Sequence, residues 1–310
     1  RRLTGIHDDQ FNHSLAALRF ARKANGVSAL HGHVSREMWK HYEGICPIVS
    51  ITNAQNWQYW SDKQLYKAMD ANDDFIFDDR KKHLKKRAFE IVADQTGKKF
   101  DPNVLTIVWA RRFAGYKRAS MLTYDMERFE KLLSNSKYPI QIIWAGKPYP
   151  MDYIGIGIFD KIVEISKTYS NCAVLVGYEL MLSKKLKRGS DAWLNVPRIY
   201  HEASGTSGMA AAMNGSVNVG LPDGWFPEFA KDKSNSFIVK PCDSSLSEEL
   251  QDDLDAASLY DLLEKEVLPM YYDYPNSWLE IVKKGMTDII PQFDSNRLAT
   301  EYYEKLYKKS

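Results

Sequence analysis

The stretch Val104-Leu-Thr-Ile-Val-Trp-Ala110 decides the fold class of this 310-residue chain. It is a short apolar run rich in β-branched residues, which predicts a strand buried on both faces. Similar runs follow at Ile140–Ala145 and Cys172–Val176, separated by helical patterns at about 116–133 and 151–168. Strands that alternate with helices form a parallel sheet with right-handed crossovers. The sequence therefore predicts an α/β fold with a doubly wound, Rossmann-like parallel sheet.

The pattern around these strands divides the chain into three parts. Residues 98–270 form the Rossmann-like domain, with shorter strands predicted at Ser216–Gly220 and Ser236–Val239. A mostly helical segment, 1–97, precedes it, and helices over 271–310 follow. Within the flanking parts, Asn25-Gly26 is predicted to end a helix over 10–24, and Pro275 and Pro291 are predicted to interrupt the C-terminal helices.

The composition is that of a soluble globular protein, with 44% hydrophobic and 26% charged residues. A net charge of +2 predicts no strong attraction to nucleic acid or membrane, and no apolar stretch approaches the roughly 18 residues that span a bilayer. Cys46, Cys172 and Cys242 provide neither a disulfide framework nor a paired metal motif, so the reducing cytoplasm is expected and no metal site is predicted. The chain begins without Met, which suggests a piece of a longer protein.

Cations cluster directly after the first strand, where ligands of doubly wound sheets bind. The run Arg111-Arg112-Phe-Ala-Gly-Tyr-Lys117-Arg118 holds four cations within eight residues. Arg offers a planar fork and Lys a point charge to phosphate oxygens. The run predicts a phosphate site, and a solvated basic turn is the alternative. Ala145-Gly-Lys-Pro148, after the second strand, lacks the P-loop spacing and is equally consistent with an ordinary turn.

A third loop, His201-Glu-Ala-Ser-Gly-Thr-Ser-Gly-Met209, combines small and hydroxyl residues. Gly and Ser allow a ligand close to the backbone, and Glu202 can accept hydrogen bonds from sugar hydroxyls. This predicts an anion or sugar loop; a tight connection is the alternative. In Asp223-Gly-Trp-Phe-Pro-Glu228, the acids and ring could flank a sugar, or the segment could be a glycine turn with a buried Trp.

These segments together resemble the α-glucan phosphorylase family, in its shorter bacterial and archaeal branch. The match runs in order along the chain. Its parts are Asn25–His31, Ile51–Trp60, Arg112–Arg118, Glu202–Met209 and Asp223-Gly224, of which Glu202–Met209 is nearly identical to an eight-residue family signature.

The resemblance implies the C-terminal half of a GT-B glycosyltransferase architecture. Residues 1–97 would then be the end of the N-terminal domain and the interdomain region, and the N-terminal catalytic domain is missing from this chain. The implied reaction is retaining phosphorolysis of an α-1,4-glucan to α-glucose-1-phosphate, with pyridoxal phosphate as cofactor. The implied partners are α-glucan and inorganic phosphate or glucose-1-phosphate, with no nucleic acid or membrane.

The resemblance also assigns roles to individual positions. It implies that Arg112 and Lys117 bind the substrate phosphate. The positions implied near the cofactor are Arg111, Gly205, Thr206, Trp60 and Tyr178, and those near the glucosyl unit are Glu202, Ser204, Gly205, Asn53 and Tyr116.

The chain departs from the family most seriously at Ala210, where the family has the lysine that holds the cofactor as an imine. An Ala cannot form an imine. Glu179, Ala54 and Ala114 also depart from the usual residues. Three hypotheses follow: a phosphorylase fragment that is inactive as this chain, a catalytically dead glucan- or phosphate-binding homologue, and a sugar-nucleotide transferase of the glycogen synthase type. The signature argues against the third.

Overall fold

The structure, a computed structural model, describes residues 11–308. A small parallel pair contains β1 (Ala24–Gly26) and β2 (Ile48–Ser50), and the main sheet contains β3 (Leu105–Ala110), β4 (Ile140–Ala145), β5 (Cys172–Leu175), β6 (Ala192–Asn195), β7 (Val217–Gly220) and β8 (Ser236–Ile238). The main sheet is parallel throughout, with strand order β5-β4-β3-β6-β7-β8. This confirms the predicted doubly wound α/β fold.

Helices connect and cover the strands. They are α1 (His13–Phe20), α2 (Ala29–Trp39), α3 (Trp57–Trp60), α4 (Lys63–Asp70), α5 (Asp74–Thr96), α6 (Met126–Leu133), α7 (Tyr153–Thr168), α8 (Leu180–Gly189), α9 (Ser207–Ala212), α10 (Phe226–Phe229), α11 (Glu248–Leu262), α12 (Leu268–Asp273), α13 (Pro275–Phe293) and α14 (Ser295–Tyr302). Five-residue π-helical segments follow α11 and α14.

The sheet is buried on both faces, as its apolar strands predict. Every residue of β3 and β4 is buried. Trp109 and Trp144 belong to the cluster on one face, and Trp193 to the cluster on the other. Cys172 is fully buried in the first of these clusters, so it is a core residue.

Helices outside 98–270 pack against this sheet. Ala88, Phe89 and Val92 of α5 share a cluster with Val108 and Ile143. The other face is covered in part by α13, through Ile281, Val282 and Met286. The boundaries at 97/98 and 270/271 remain predictions, but the cores of these segments are continuous with the sheet.

The prediction that Asn25-Gly26 ends a helix is wrong. Both residues lie in β1, paired with Val49 and Ser50. A side chain at Gly26 would meet the Cα of Gly32 at 2.4 Å, so this glycine serves the close approach of α2. Ala24-Asn-Gly26 contains no β-branched or aromatic residue, so it carries no strand signal.

The predicted helix over 116–133 is also wrong in its first half. Two short 3-10 turns, 115–117 and 121–123, precede α6, and Arg118 has a left-handed φ of 49°. The Arg118 guanidinium donates to the carbonyls of Val196 and Pro197 and pairs with Asp255, and these tertiary contacts accompany a non-helical backbone.

Two further expectations need correction. Pro291 does not interrupt a helix but lies inside α13, which ends two residues later at Phe293. Pro275 does stand at the start of α13, where a missing N–H is tolerated. Strand β6 is absent from the prediction, because Ala192-Trp-Leu-Asn195 contains no β-branched residue that would separate it from the preceding helix.

Candidate functional site

The candidate site lies where the strand order reverses, at the carboxyl ends of β3 and β6. The chain proceeds from β3 outward to β4 and β5 and then returns to place β6 on the other side of β3. Loops leave this point in opposite directions and open a crevice. The loops that follow β3 and β6 contain the cation run at 111–118 and the signature at 201–209.

Glu202 joins the two predicted motifs. Its Oε2 accepts a hydrogen bond from Nη2 of Arg111 at 2.6 Å and another from Nζ of Lys117 at 2.9 Å. Arg111 also donates to Oδ1 of Asn195, at the end of β6. All three charged side chains are buried, with at most 9% of any residue exposed. The structure thus brings together a predicted glucosyl contact and two predicted phosphate-binding cations.

The electrostatics of this cluster favour an anion. Burial alone would raise the pKa of the Glu202 carboxyl, but the charges and hydrogen bonds of Arg111 and Lys117 outweigh it and hold that pKa below its usual value. Glu202 is therefore ionised at neutral pH, and one negative charge faces two positive ones. The remaining positive charge lies in a region of low dielectric, where it attracts a phosphate more strongly than it would at the surface.

The signature loop leaves the cluster open at Gly205. This residue has a φ of 77°, and a Cβ there would lie 3.8 Å from Nη2 of Arg111 and 3.8 Å from Oε1 of Glu202. Ser204 is buried and donates to the carbonyl of Gly205 at 3.0 Å. Thr206 is half-buried and stands at the N-cap of α9. A glycine at 205 keeps the space above both charged groups free of side-chain atoms.

Asp223 holds the signature loop from beneath. Its carboxylate accepts from the backbone N–H of Glu202 at 2.9 Å and of Gly224 at 2.8 Å. Burial raises its pKa in spite of these hydrogen bonds. Gly224 has a φ of 60°, and Trp225 is 1% exposed. The segment is thus a glycine turn with a buried Trp.

The N-terminal segment is attached to the same loop. Ser28 Oγ donates to the carbonyl of Ala203 at 2.7 Å, and Thr52 Oγ1 donates to Glu228 Oε2 at 2.8 Å. Asn53, a predicted glucosyl contact, is half-buried beside Thr52. Its backbone N–H donates a hydrogen bond to the carbonyl of Val27 at 3.0 Å. The sequence gives no signal for Asn195, because an isolated polar residue lies outside any motif. Ser28 and Glu228 lie within the segments 25–31 and 223–228, but their hydrogen bonds to Ala203 and Thr52 were not predicted.

The other members of the cation run have different surroundings. Arg112 is exposed and forms no ion pair with any residue of 11–308. Arg118 is buried and pairs with Asp252 and Asp255, so it stabilises the fold. The ring centroid of Tyr116 lies 4.7 Å from Nζ of Lys117. Four cations that look equivalent in the sequence therefore divide into two at the cluster, one structural and one exposed.

The Gly-Lys turn after β4 is an ordinary turn that supports Arg111. The backbone N–H of Arg111 donates to the carbonyl of Ala145 at 2.9 Å. At Gly146, φ is 142° and a Cβ would lie 1.9 Å from the carbonyl oxygen of Arg111. Lys147 is exposed. The glycine thus allows two loops to touch, and nothing in the turn forms a cradle for a nucleotide.

The residues predicted near pyridoxal phosphate fit this group only in part. Ala210 is fully buried in an apolar cluster with Trp60, Met209 and Met213, so its methyl group provides no amine for attachment. Tyr178 is half-buried, and its hydroxyl accepts from Ser183 Oγ at 3.1 Å. Covalent attachment at residue 210 does not fit, whereas the aromatic residues and the buried cations of the cluster suit a phosphate-bearing aromatic group.

No helix within residues 11–308 is long and apolar enough to cross a membrane. Over the same residues, no group of three His, Cys, Asp or Glu side chains could hold a metal ion.

Comparison with known proteins gives a consistent picture. The sequence model of the carbohydrate phosphorylase family matches residues 7–239. An uncharacterized protein of Methanocaldococcus jannaschii is 44% identical over 96% of this chain and 56% of its own length. The maltodextrin phosphorylase of Thermococcus litoralis is 33% identical over 99% of this chain and 42% of its own length. A glycogen phosphorylase of Mycobacterium tuberculosis is 32% identical over 98% of this chain and 41% of its own length.

The chain thus spans about half the length of the curated relatives that it matches. The family match covers both motifs of the cluster, the cation run and the signature loop, and it extends over most of the described fold. On this combination of sequence, fold and site, the chain belongs to the carbohydrate phosphorylase family.

Proposed function

We propose that this chain is the phosphate- and glucosyl-binding half of an α-glucan phosphorylase-like glycosyltransferase of GT-B architecture. The reaction is phosphorolysis of an α-1,4-glucan by inorganic phosphate to α-glucose-1-phosphate, with retained configuration. The observation that carries the proposal is the Arg111–Glu202–Lys117 cluster, with both donor distances below 3 Å and all three side chains buried.

The cluster is suited to hold a phosphate beside a sugar. A phosphate above Gly205 would meet Arg111 and Lys117, whose donors are oriented by Glu202 and Asn195 before any ligand arrives. Preorganised cations stabilise developing negative charge most effectively where water is excluded. Glu202, ionised, accepts hydrogen bonds from glucosyl hydroxyls.

Pyridoxal phosphate is the cofactor expected for the family. When bound, it supplies a phosphate group that assists proton transfer to the attacking phosphate. Two phosphates close together repel, so the excess positive charge at Arg111 and Lys117, with exposed Arg112 nearby in the chain, is what such a pair requires. This chain's own part is to bind, orient and neutralise.

We expect this chain alone to show negligible phosphorolysis. Its described sheet provides one side of a GT-B cleft, and the two named relatives are more than twice as long. Catalysis would need the N-terminal domain of the same protein, with α-glucan and phosphate as partners. Cytoplasm is the expected compartment, as the cysteine usage predicts. Measurable glucose-1-phosphate release from maltodextrin and phosphate by this chain would contradict the expectation.

The binding function is tested by calorimetry with inorganic phosphate and with glucose-1-phosphate. Lys117→Met should weaken both at least tenfold, because a buried cation is removed from the cluster. Lys147→Met is the matched control, since Lys147 is an exposed lysine in the neighbouring loop. Failure of the unaltered chain to bind either ligand, or equal loss in both variants, would overturn the proposal.

A second function is supported by Ala210: a glucan- or phosphate-binding homologue without turnover. The full-length protein separates the two, because only an enzyme would convert maltodextrin and phosphate to glucose-1-phosphate. A sugar-nucleotide transferase is disfavoured by the signature, and binding of a glucose nucleotide in preference to glucose-1-phosphate would revive it.

A further inference from the structure

Lys187, on α8, is a buried amine without a counter-ion. It is 4% exposed, donates a hydrogen bond to Ser183 Oγ at 2.5 Å, and lies 4.1 Å from the ring centroid of Trp60. It forms no ion pair with any carboxylate among residues 11–308. A lysine in such surroundings is uncommon, because a buried ammonium is normally paired.

Two other buried lysines show the ordinary solution. Lys85 pairs with Asp191. Lys81 donates to two backbone carbonyls, those of Asn214 at 2.9 Å and Arg188 at 3.1 Å. Lys187 has a single hydroxyl acceptor and two aromatic faces instead, and no carboxylate among the described residues offsets the desolvation of its ammonium form.

Lys187 lies beside the region predicted for the cofactor. Ser183, which accepts from Lys187, donates in turn to the hydroxyl of Tyr178 at 3.1 Å. Trp60 and Tyr178 are the aromatic residues predicted to lie near the cofactor, and Trp60 packs in the same cluster as Ala210. The buried amine of Lys187 thus contacts Trp60 directly and is linked to Tyr178 through Ser183. Both aromatic residues belong to the region where the family's lysine is absent.

The amine also approaches the signature loop. Nζ of Lys187 lies 5.8 Å from the ring centroid of Trp193. The indole N–H of Trp193 donates to Ser207 Oγ at 3.3 Å, at the start of α9. Lys187 therefore approaches α9 from α8, whereas the family's lysine would extend from residue 210 on α9 itself.

We propose that Lys187 takes the place of the missing lysine at position 210 and attaches a phosphate-bearing aromatic aldehyde of the pyridoxal phosphate type. The inference rests on the proposed function, because it assumes that the cluster around Glu202 receives phosphate groups. The inference goes beyond the proposed function because it assigns an attachment residue that the family pattern does not contain.

The chemistry is a condensation. The neutral amine of Lys187 attacks the aldehyde carbon, the nitrogen loses its two protons, and the carbonyl oxygen leaves as water. One carbon–nitrogen double bond replaces one carbon–oxygen double bond, and no oxidant or reductant is consumed. Ser183 Oγ, 2.5 Å from the nitrogen, is placed to exchange a proton during loss of water.

Burial assists this reaction. Desolvation lowers the pKa of Lys187 from 10.5 to about 8. At pH 8, about half of its amine is then neutral, against roughly one in 250 for an ordinary lysine with a pKa near 10.4. A neutral amine in an apolar pocket is the form that attacks carbonyl groups.

The test uses the whole chain, pyridoxal phosphate and borohydride, which reduces and fixes the double bond. Peptide mass spectrometry then locates the modified lysine, without any need for enzyme activity. We expect the modification at Lys187, with near-ultraviolet or visible absorbance before reduction. Lys187→Met should lose at least nine-tenths of both signals, whereas Lys185→Met, a partly exposed lysine of the same helix, should retain them.

Three outcomes would overturn the inference: fixation at another lysine, no fixation at all, or equal fixation in the Lys187→Met variant. Circular dichroism establishes whether that variant is folded, and the pH dependence of fixation in the unaltered chain provides a second measurement. Fixation should rise to its half-maximum near pH 8; a half-maximum near pH 10 would contradict a role for Lys187. If calorimetry shows phosphate binding but Lys187 is not modified, the inference fails and the proposed function stands.

Discussion

Arg111, the first residue after strand β3, places Nη2 2.6 Å from Oε2 of Glu202, which lies 91 positions further along the chain. The contact joins two loops that neither local pattern nor sequence spacing brings together. It turns a basic run and a small-residue loop into one charged cluster, with Lys117 as its third member.

Glu202→Gln should destabilise the chain and tighten its binding of phosphate. Removing the carboxylate charge leaves two buried cations without a partner, which costs about 3–5 kcal/mol of unfolding free energy. The same cations then lack an internal competitor for an added phosphate. Denaturant unfolding with and without phosphate measures both effects. An unfolding free energy and a phosphate affinity equal to those of the unaltered chain would show that the cluster is not coupled as described.

The same carboxyl group should produce a stability loss in acid. The pKa of Glu202 is lower in the folded state than its ordinary value of about 4.3, so its stabilising contribution is present above that value. The contribution is lost as the pH falls from the unfolded pKa through the folded pKa. Unfolding curves between pH 2 and 6 should therefore fall more steeply for the unaltered chain than for Glu202→Gln. Parallel curves for the two proteins would be evidence against a lowered pKa of Glu202 in the folded state.

Gly205→Ala should weaken ligand binding through the backbone. The φ of 77° costs an L-residue about 1–2 kcal/mol, whereas the new Cβ finds ordinary contacts, its nearest neighbour being Trp225 at 3.7 Å. The methyl group would lie above Arg111 and Glu202, so phosphate affinity should fall together with stability. Gly157→Ala is the matched control, since Gly157 lies in α7 with no atom within 4 Å of the added Cβ. That control should gain about 0.5–1 kcal/mol from helix propensity, and an equal gain for Gly205→Ala would contradict the prediction.

Lys187→Met should stabilise the chain at neutral pH. Because the folded pKa is about 8 and the ordinary value 10.5, the unfolded chain binds more protons between these limits, and stability rises with pH across that window. Below pH 8 the full penalty of the buried ammonium is present, about 3 kcal/mol for this shift.

Thermal or denaturant unfolding at pH 7 and at pH 10 measures this difference. The stability advantage of Lys187→Met over the unaltered chain should be largest at pH 7 and should shrink toward pH 10. Lys81, whose pKa is about 7, contributes its own slope to both proteins and cancels in the comparison. Lys185→Met provides the control, and an advantage that does not change with pH would count against a neutral buried amine.

The fold was predictable where the pattern was long. Apolar runs of five to seven residues at Val104–Ala110, Ile140–Ala145 and Cys172–Val176 each correspond to a strand of the sheet. Short elements were predictable only in part: β7 and β8, of four and three residues, correspond to predicted strands, whereas β1 and β6, of the same lengths, do not. The turns at 115–123 follow tertiary contacts of Arg118. A local sequence pattern cannot predict a backbone conformation that depends on contacts with distant carbonyl or carboxylate groups, as at Arg118.

The sequence by itself determined the strand-and-helix alternation, the edge of the sheet at which the candidate site lies, and the two motifs that mark the family. The reason is that periodicity and motif spacing are properties of neighbouring residues. It also determined that residue 210 has no amine. Only the tertiary structure decided which cations face Glu202, that Arg118 is structural, and that Lys187 lies on Trp60. Charge, burial and proton affinity depend on groups that the fold brings together from distant positions, and the desolvation that tunes Lys187 exists only after the core has closed around it.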